Sequence, residues 1–265
     1  MTRLLILLAL VLQEPAREKI EIRVRPVQGD KLEIVENWTH SFRGTLGTES
    51  LNTVSRGGRR LVVEMAAVEK GILTRKVVQI PDSYIENQDV TTSKFIRKDN
   101  ALQGRTATIE RRDGREVYGG LDGVSEAEQK TIGLEDPLTR LFPDKPVGVG
   151  DSWEISGEGL KRFFPGGDFN EGRITISLRD IQDVGGRRCA YLRTVYDVAG
   201  KSPDGTTREL NLQGTLTVWI ERGYVLAMSQ SGRMKTIGAD PKTAQPNGEA
   251  AVTGELKATI VEKTK

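Results

Sequence analysis

From Val252 to Ile260 every second residue is apolar or small: Val252, Gly254, Leu256, Ala258 and Ile260 alternate with Thr253, Glu255, Lys257 and Thr259. A period of two puts the two sets on opposite faces of an extended strand, whereas a helix would scatter both around its circumference. The rhythm recurs in KIEIRVR, with Ile20, Ile22 and Val24 between charged residues, and again at Leu61, Val63, Met65 and Ala67. Strands that alternate so cleanly have one dry face and one wet face, which is the signature of antiparallel sheets. Asp113-Gly114, Asp204-Gly205 and Asn247-Gly248 lie between such runs. These dipeptides tolerate the positive φ angles of two-residue hairpins, so antiparallel hairpins are expected at all three.

One region departs from the pattern. Ser125-Glu126-Ala127-Glu128 is a capping box, in which serine hydroxyl and glutamate carboxylate satisfy the first amides of a helix. It predicts a short helix to about Ile132, with Gly133 as its stop. Asp136-Pro137 predicts a second start, because proline at the first helical position gives up an amide that has no partner there. Pro143 and Pro146 close the helical stretch. The fold class expected is mainly β (α+β), with one helical insert near residues 125–142.

Gly-Asp phrases open strands in both halves of the chain: Pro26-Val27-Gln28-Gly29-Asp30 resembles Pro146-Val147-Gly148-Val149-Gly150-Asp151. Gly57-Gly58-Arg59-Arg60 recurs as Gly185-Gly186-Arg187-Arg188, and Leu102-Gln103-Gly104 as Leu212-Gln213-Gly214. Collinear recurrence suggests an internal duplication of roughly 120 residues, although turn grammar repeats by chance. The expected division is residues 17–145 as a first β repeat carrying the insert and 146–265 as a second. The two would form either one large antiparallel sheet or two β lobes. Gly148-Val149-Gly150 is followed by Ser152-Trp153-Glu154-Ile155, which alternates as a strand does. A phosphate-cradling loop needs a helix there, so this glycine run leads into a strand, with Asp151 capping the turn.

At the N-terminus Arg3 precedes an unbroken apolar run from Leu4 to Leu12, followed by charged residues and Pro15. Residues 1–16 thus have the layout of a secretory signal peptide, and the run is far short of the roughly 20 residues of a membrane span. Cys189 is the single cysteine, which excludes an intramolecular disulfide and, by its position, a lipid anchor next to the signal. The expectation is a periplasmic or secreted protein with no stable membrane span after signal removal. Thirty-nine basic and thirty-seven acidic residues are interleaved, with a net charge of +2, so no nucleic-acid footprint is present.

The chain resembles a family of exported bacterial proteins known only as a domain of unknown function. The resemblance rests on Leu141-Phe142-Pro143, Lys145, Pro146-Val147 and Gly150-Asp151-Ser152-Trp153, which follow the predicted helix. It implies a signal peptide and a strand-rich fold, and it carries no catalytic residues. Many relatives have a lipid-anchor cysteine that this chain lacks.

Chemistry-bearing residues are sparse. His40, the only histidine, closes the face Leu32, Ile34, Glu36, Trp38, His40 and is expected to be a hydrogen-bonded core or rim residue. One histidine and one distant cysteine exclude the usual zinc sites, and no Gly-x-Ser-x-Gly elbow accompanies His40. Cys189 opens a strand and is expected to be a buried, inert thiol. Asp168 to Gly172 lacks the acidic ligand and spacing of a calcium loop. Trp219 lies with Thr215, Thr217 and Glu221 on the polar side of a strand whose other face carries Leu216, Val218 and Ile220. It is the candidate ligand-binding residue, stacking on a sugar or lining a groove, unless a loop covers it. No catalytic residue, metal or cofactor is expected. The sequence supports a non-catalytic cell-envelope binding protein for a hydrophobic molecule, a glycan or another envelope protein. The alternatives are an extracytoplasmic hydrolase using carboxylates, whose acids composition alone does not pair, and a structural envelope module without a small ligand.

Overall fold

The computed structural model describes residues 18–88, 93–164, 169–201, 205–238 and 246–261; the apolar N-terminal run and Asp204 lie outside them. In chain order the elements are β1 (Lys19–Ile20), β2 (Lys31–Leu46), β3 (Glu49–Glu69), β4 (Ile72–Gln88), β5 (Phe95–Asp99), β6 (Thr106–Arg112) and β7 (Arg115–Gly119). Then come helix α1 (Glu126–Lys130), a 3₁₀ helix (Pro137–Leu141), β8 (Val147–Gly148), β9 (Ser152–Ser156) and α2 (Glu158–Phe163). The chain continues through β10 (Glu171–Val184), β11 (Arg187–Lys201), β12 (Thr207–Trp219), β13 (Tyr224–Ile237) and β14 (Pro246–Ile260).

Twelve of these strands form one antiparallel sheet in the order β7-β6-β4-β3-β2-β14-β13-β12-β11-β10-β9, with β5 added beside β4. The halves share this sheet because β14 pairs with β2 from Pro246 opposite Leu46 to Ile260 opposite Leu32. Its edges, β7 and β9, are five residues each, too short to invite another chain.

The alternation decides which face is dry. On the inner face Leu32 is opposite Val63, Ile34 opposite Leu61 and Glu36 opposite Arg59. Toward the other edge, Leu216, Leu192 and Leu178 form one inner row, all fully or almost fully buried. Two cores result, one over β10–β13 with Ile20, Ile22, Leu141 and Leu160, and one over β3–β6 with Leu121, Val124, Ile132 and Leu134; Ile34 packs against both.

KIEIRVR is a sheet strand only at Lys19–Ile20, where β1 pairs with β8 in a separate two-stranded sheet. Beyond it Ile22 is fully buried beneath the large sheet and Arg25 donates its amide to the Arg222 carbonyl, so this segment covers the sheet instead of extending it. Asp113 and Gly114, with φ of 50° and 76°, form the expected β6–β7 hairpin. Asn247-Gly248 does not turn. It lies inside β14, where a Cβ on Gly248 would come within 2.2 Å of the Arg43 carbonyl oxygen, so this glycine serves close strand approach.

Of the three matched phrases, the Gly-Asp pair alone shares a local structure. Gly29 donates to Met65 and Met65 to the Asp30 carbonyl; likewise Gly150 donates to Leu178 and Leu178 to the Asp151 carbonyl. Asp151 Oδ2 also accepts from the Gly148 amide at 2.9 Å, capping the turn into β9. By contrast Gly57-Gly58 lies within β3 and Gly185-Gly186 in the β10–β11 turn, while Leu102-Gln103-Gly104 is a turn and Leu212-Gln213-Gly214 is in β12. Coincident glycine grammar accounts for those two.

The insert forms as its caps dictate. Ser125 caps α1 in a complete capping box, and Asp136 Oδ1 accepts from the Leu138 amide at 2.9 Å to start the 3₁₀ helix. Helix α1 stops at Thr131, two residues before Gly133. Changing Ser125 to alanine should cost about 1 kcal/mol, the ordinary value of a lost serine cap, with faster hydrogen exchange at the Glu128 amide. The alternation and capping signals did not reveal α2, which has no side-chain cap and is held by Leu160 in the core and by Phe163 and Phe164 in edge contact.

Candidate functional site: a roofed cavity on the inner face

Residues 120–142 form a strap across the inner face, burying Leu121, Val124, Ile132 and Leu134 in one core and Leu141 in the other. Between the anchors it stands off the sheet and covers a half-open cavity of about 640 Å³. The floor comes from β2 (Leu32, Ile34, Glu36, Trp38), β3 (Arg59, Leu61, Val63, Met65), β4 (Lys76, Val78), and Met228 and Leu256 of β13 and β14. Thr131 to Thr139 form the roof, and Val24, Pro26, Leu73 and Tyr224 close the apolar end. Six residues of extended β2 separate Leu32 from Trp38, about 20 Å at the usual strand rise.

Charged groups gather under the roof. Arg59 lies 2.6 Å from Glu36 and donates to Thr131 Oγ1 at 3.0 Å. Lys76 is 8% exposed and donates to the carbonyls of Gly133 and Leu134. Glu116 accepts from the Leu134 amide at 3.0 Å and from the Tyr118 hydroxyl. Arg111 pairs with Glu135 at 3.0 Å. Side chains from β3, β4, β6 and β7 therefore hold one short stretch of strap.

Their titration follows from burial. Lys76 is pulled down to about 8, chiefly by desolvation, with Asp136 and Glu116 opposing and nearby Arg59 reinforcing the fall. The Asp136 carboxyl is pushed up, again mainly by desolvation, against the pull of the Leu138 amide and Lys76. The buried lysine and the half-buried carboxylate form the most perturbed part of the cavity; the motifs singled out Asp136 only as a helix start and Lys76 not at all.

Trp38 is 37% exposed and lies in the register between Gly57 of β3 and Gly254 of β14. A Cβ on Gly57 would come within 2.5 Å of the indole ring, so the ring rests on bare backbone. A Cβ on Gly254 would meet only Met228 Cε, at 3.9 Å, leaving open space on the other flank.

Trp219 is elsewhere. It does not line the cavity; its ring is approached by the guanidinium carbons of Arg187 at 5.5 Å and Arg222 at 5.4 Å and meets Tyr224 edge-on at 6.2 Å. His40 shares the inner face with Trp38, but its Nε2 is buried with no hydrogen-bond partner among the described residues, unlike the bonded histidine expected. Desolvation lowers its pKa and favours the neutral ring. Cys189 is fully buried and its thiol is pushed up by burial, which matches an inert role. Among the described residues no cluster of histidine, cysteine and acids is arranged to hold a metal, and no helix is long and apolar enough to cross a membrane.

No family model and no curated protein matches the chain. Solved structures with some likeness include lipovitellin, described for its lipid-protein interactions (TM-score 0.39, 8% identity, 91% of this chain and 26% of that one). A LolA superfamily protein from Nitrosomonas europaea has TM-score 0.20 and 12% identity, covering 91% of this chain and 90% of that one. A DUF1329 family protein from Desulfovibrio piger has TM-score 0.14 and 8% identity, covering 90% and 88%. The chain spans about a quarter of the lipovitellin chain. Scores this low do not bear on what the chain binds.

Proposed function

We propose that this chain is a non-catalytic binding protein of the bacterial cell envelope that holds a hydrophobic molecule between its sheet and its strap. The observation that carries the reading is the half-open cavity of about 640 Å³, within the range of small-molecule sites and presenting mainly apolar surface. Each methylene moved from water into such a space contributes about 0.8 kcal/mol, so an apolar ligand is favoured without any strong polar anchor. The envelope setting rests on the apolar run Leu4 to Leu12 behind Arg3, which reads as an export signal.

The hydrolase alternative has weaker support. Glu36 is bound to Arg59, Glu116 to Leu134 and Tyr118, Glu135 to Arg111, and Asp136 to the start of the 3₁₀ helix, so these four carboxylates have structural bonds, and Glu255 is exposed. A structural module needs no cavity at all.

The test is uptake of the neutral apolar dye N-phenyl-1-naphthylamine, read as fluorescence gain. The wild-type chain should bind it at micromolar concentration. Val63→Trp, which puts an indole into the cavity floor, should weaken uptake at least tenfold while the protein stays folded by circular dichroism. Absence of uptake by the wild type, or equal uptake by the filled variant, would sink the proposal.

A further inference from the structure

The cavity is asymmetric along β2. Around Leu32, Val63, Leu73 and Tyr224 it is apolar apart from Lys76, whose ammonium is turned to the strap carbonyls of Gly133 and Leu134, whereas the end near Trp38 carries Glu36, Arg59, Thr131 and Asp136. A ligand matched to it has an apolar body and one polar end. The question is what chemistry that polar end has.

Charge matching argues against an ionic head. Every cationic side chain lining the cavity already has a partner: Arg59 has Glu36 and Thr131, Lys76 has two strap carbonyls, and Arg111 has Glu135. A carboxylate or phosphate arriving there would have to break one of these bonds or lose its hydration without full compensation. A cationic head faces the same obstacle, because Glu36 and Glu135 are paired and Asp136 already accepts from the Leu138 amide, while Glu255 is exposed to water, where an ion pair contributes little.

What the polar end does offer is a flat aromatic surface. The indole of Trp38 is backed by Gly57, partly exposed, and flanked by open space over Gly254. Two glycines on either side of one tryptophan make a platform with room beside it, and ring faces stack on other rings and on the C–H faces of sugars.

We propose that the molecule held in the cavity is an amphiphile whose polar end is an uncharged ring, seated on Trp38 with its apolar body running toward Leu32 and Tyr224. The inference rests on the cavity reading and deepens it.

The experiment displaces N-phenyl-1-naphthylamine from the full chain with three probes below their micelle concentrations: decyl β-D-glucoside, sodium dodecanoate and dodecyltrimethylammonium. The glucoside should displace dye at the lowest concentration. In a Trp153→Phe/Trp219→Phe background, which leaves Trp38 as the sole indole, it should also shift the tryptophan emission. Trp38→Ala should weaken the glucoside about tenfold, the upper range of one aromatic stack, and leave dodecanoate within twofold. Gly254→Val fills the space beside the ring without touching the indole and should give the same selective loss, which guards against a misfolded Trp38 variant. A preference for either ionic probe, or an equal loss for all three in both variants, overturns the inference and leaves the cavity reading standing. If neither dye nor any probe enters the wild type, both fall together.

Discussion

Between pH 8 and 10 the unfolding free energy of this protein should rise by about 2 kcal/mol because of Lys76. The folded pKa of Lys76 is lowered from 10.5 to about 8, chiefly by burial. Below pH 8 the ammonium is charged in both states, and the folded state bears the full cost of desolvating it. As pH rises from 8 toward 10.5 the folded amine is neutral while the unfolded one still holds its proton; the unfolded state binds more protons, and stability increases with pH. The neutral amine keeps two hydrogens to donate, so the bonds to Gly133 and Leu134 survive deprotonation. Above about pH 10 Tyr196, whose pKa is pushed up to about 12 mainly by burial, acts in the opposite direction. Asp136 has the mirror-image effect in acid: its raised folded pKa gives stability that is greatest at low pH and is lost as pH rises through the folded value. Urea midpoints at intervals from pH 7 to 10 would show the rise in wild type. In Lys76→Met the slope should vanish, at the cost of about 2 kcal/mol at pH 9 from two strap carbonyls left unpaired. An identical slope in the variant would show that Lys76 is not the group responsible.

Much of this arrangement was legible in the alternation, but its chemical meaning was not. The same rhythm that marks Leu61 and Val63 as inward places Arg59 in phase with them, and Lys76 is in phase with Val78 and Ile80. Cross-strand register then brings Glu36 opposite Arg59 and Lys76 opposite Met65. A charged residue in phase with an apolar row was the available signal for the charged groups under the roof. Motif spacing carries none of it, because the partners are backbone groups of a strap that is distant in sequence. The capping box at Ser125 and the Asp136-Pro137 start were readable because caps are local. Asn247-Gly248 was misread for the converse reason: a glycine that permits a turn also permits two backbones to approach, and only Gly44 across the ladder decides between them. Trp219 looked exposed by alternation, yet Arg187, Arg222 and Tyr224 gather around it from elements that sequence alone does not bring together. The face Leu32 to Trp38 was read correctly as one surface, but what makes it a cavity floor is the height of the strap.

Leu141→Ala should destabilise the protein by about 3 kcal/mol, the middle of the range for deleting a fully buried leucine side chain. Leu141 is the last residue of the 3₁₀ helix, is completely buried, and belongs to the core that includes Ile174, Ile176 and Leu178. It also receives, at its carbonyl, the Trp153 indole N–H at 2.8 Å, so the Leu-Phe-Pro and Gly-Asp-Ser-Trp phrases of the central segment are tied by a bond between them. That bond and the Asp151 cap make the segment the far anchor of the strap. Trp153→Phe, which removes the hydrogen bond but keeps a ring, should cost only about 1 kcal/mol. Because the roof from Thr131 to Thr139 is suspended between this anchor and the bonds around Lys76, losing Leu141 should weaken dye uptake, while Ser125→Ala should leave it unchanged. Urea unfolding gives the stabilities, and dye titration at a temperature where both variants are folded gives the uptake. A Leu141→Ala loss below about 1 kcal/mol, or full dye affinity in that variant, would mean that the strap holds its height without the anchor.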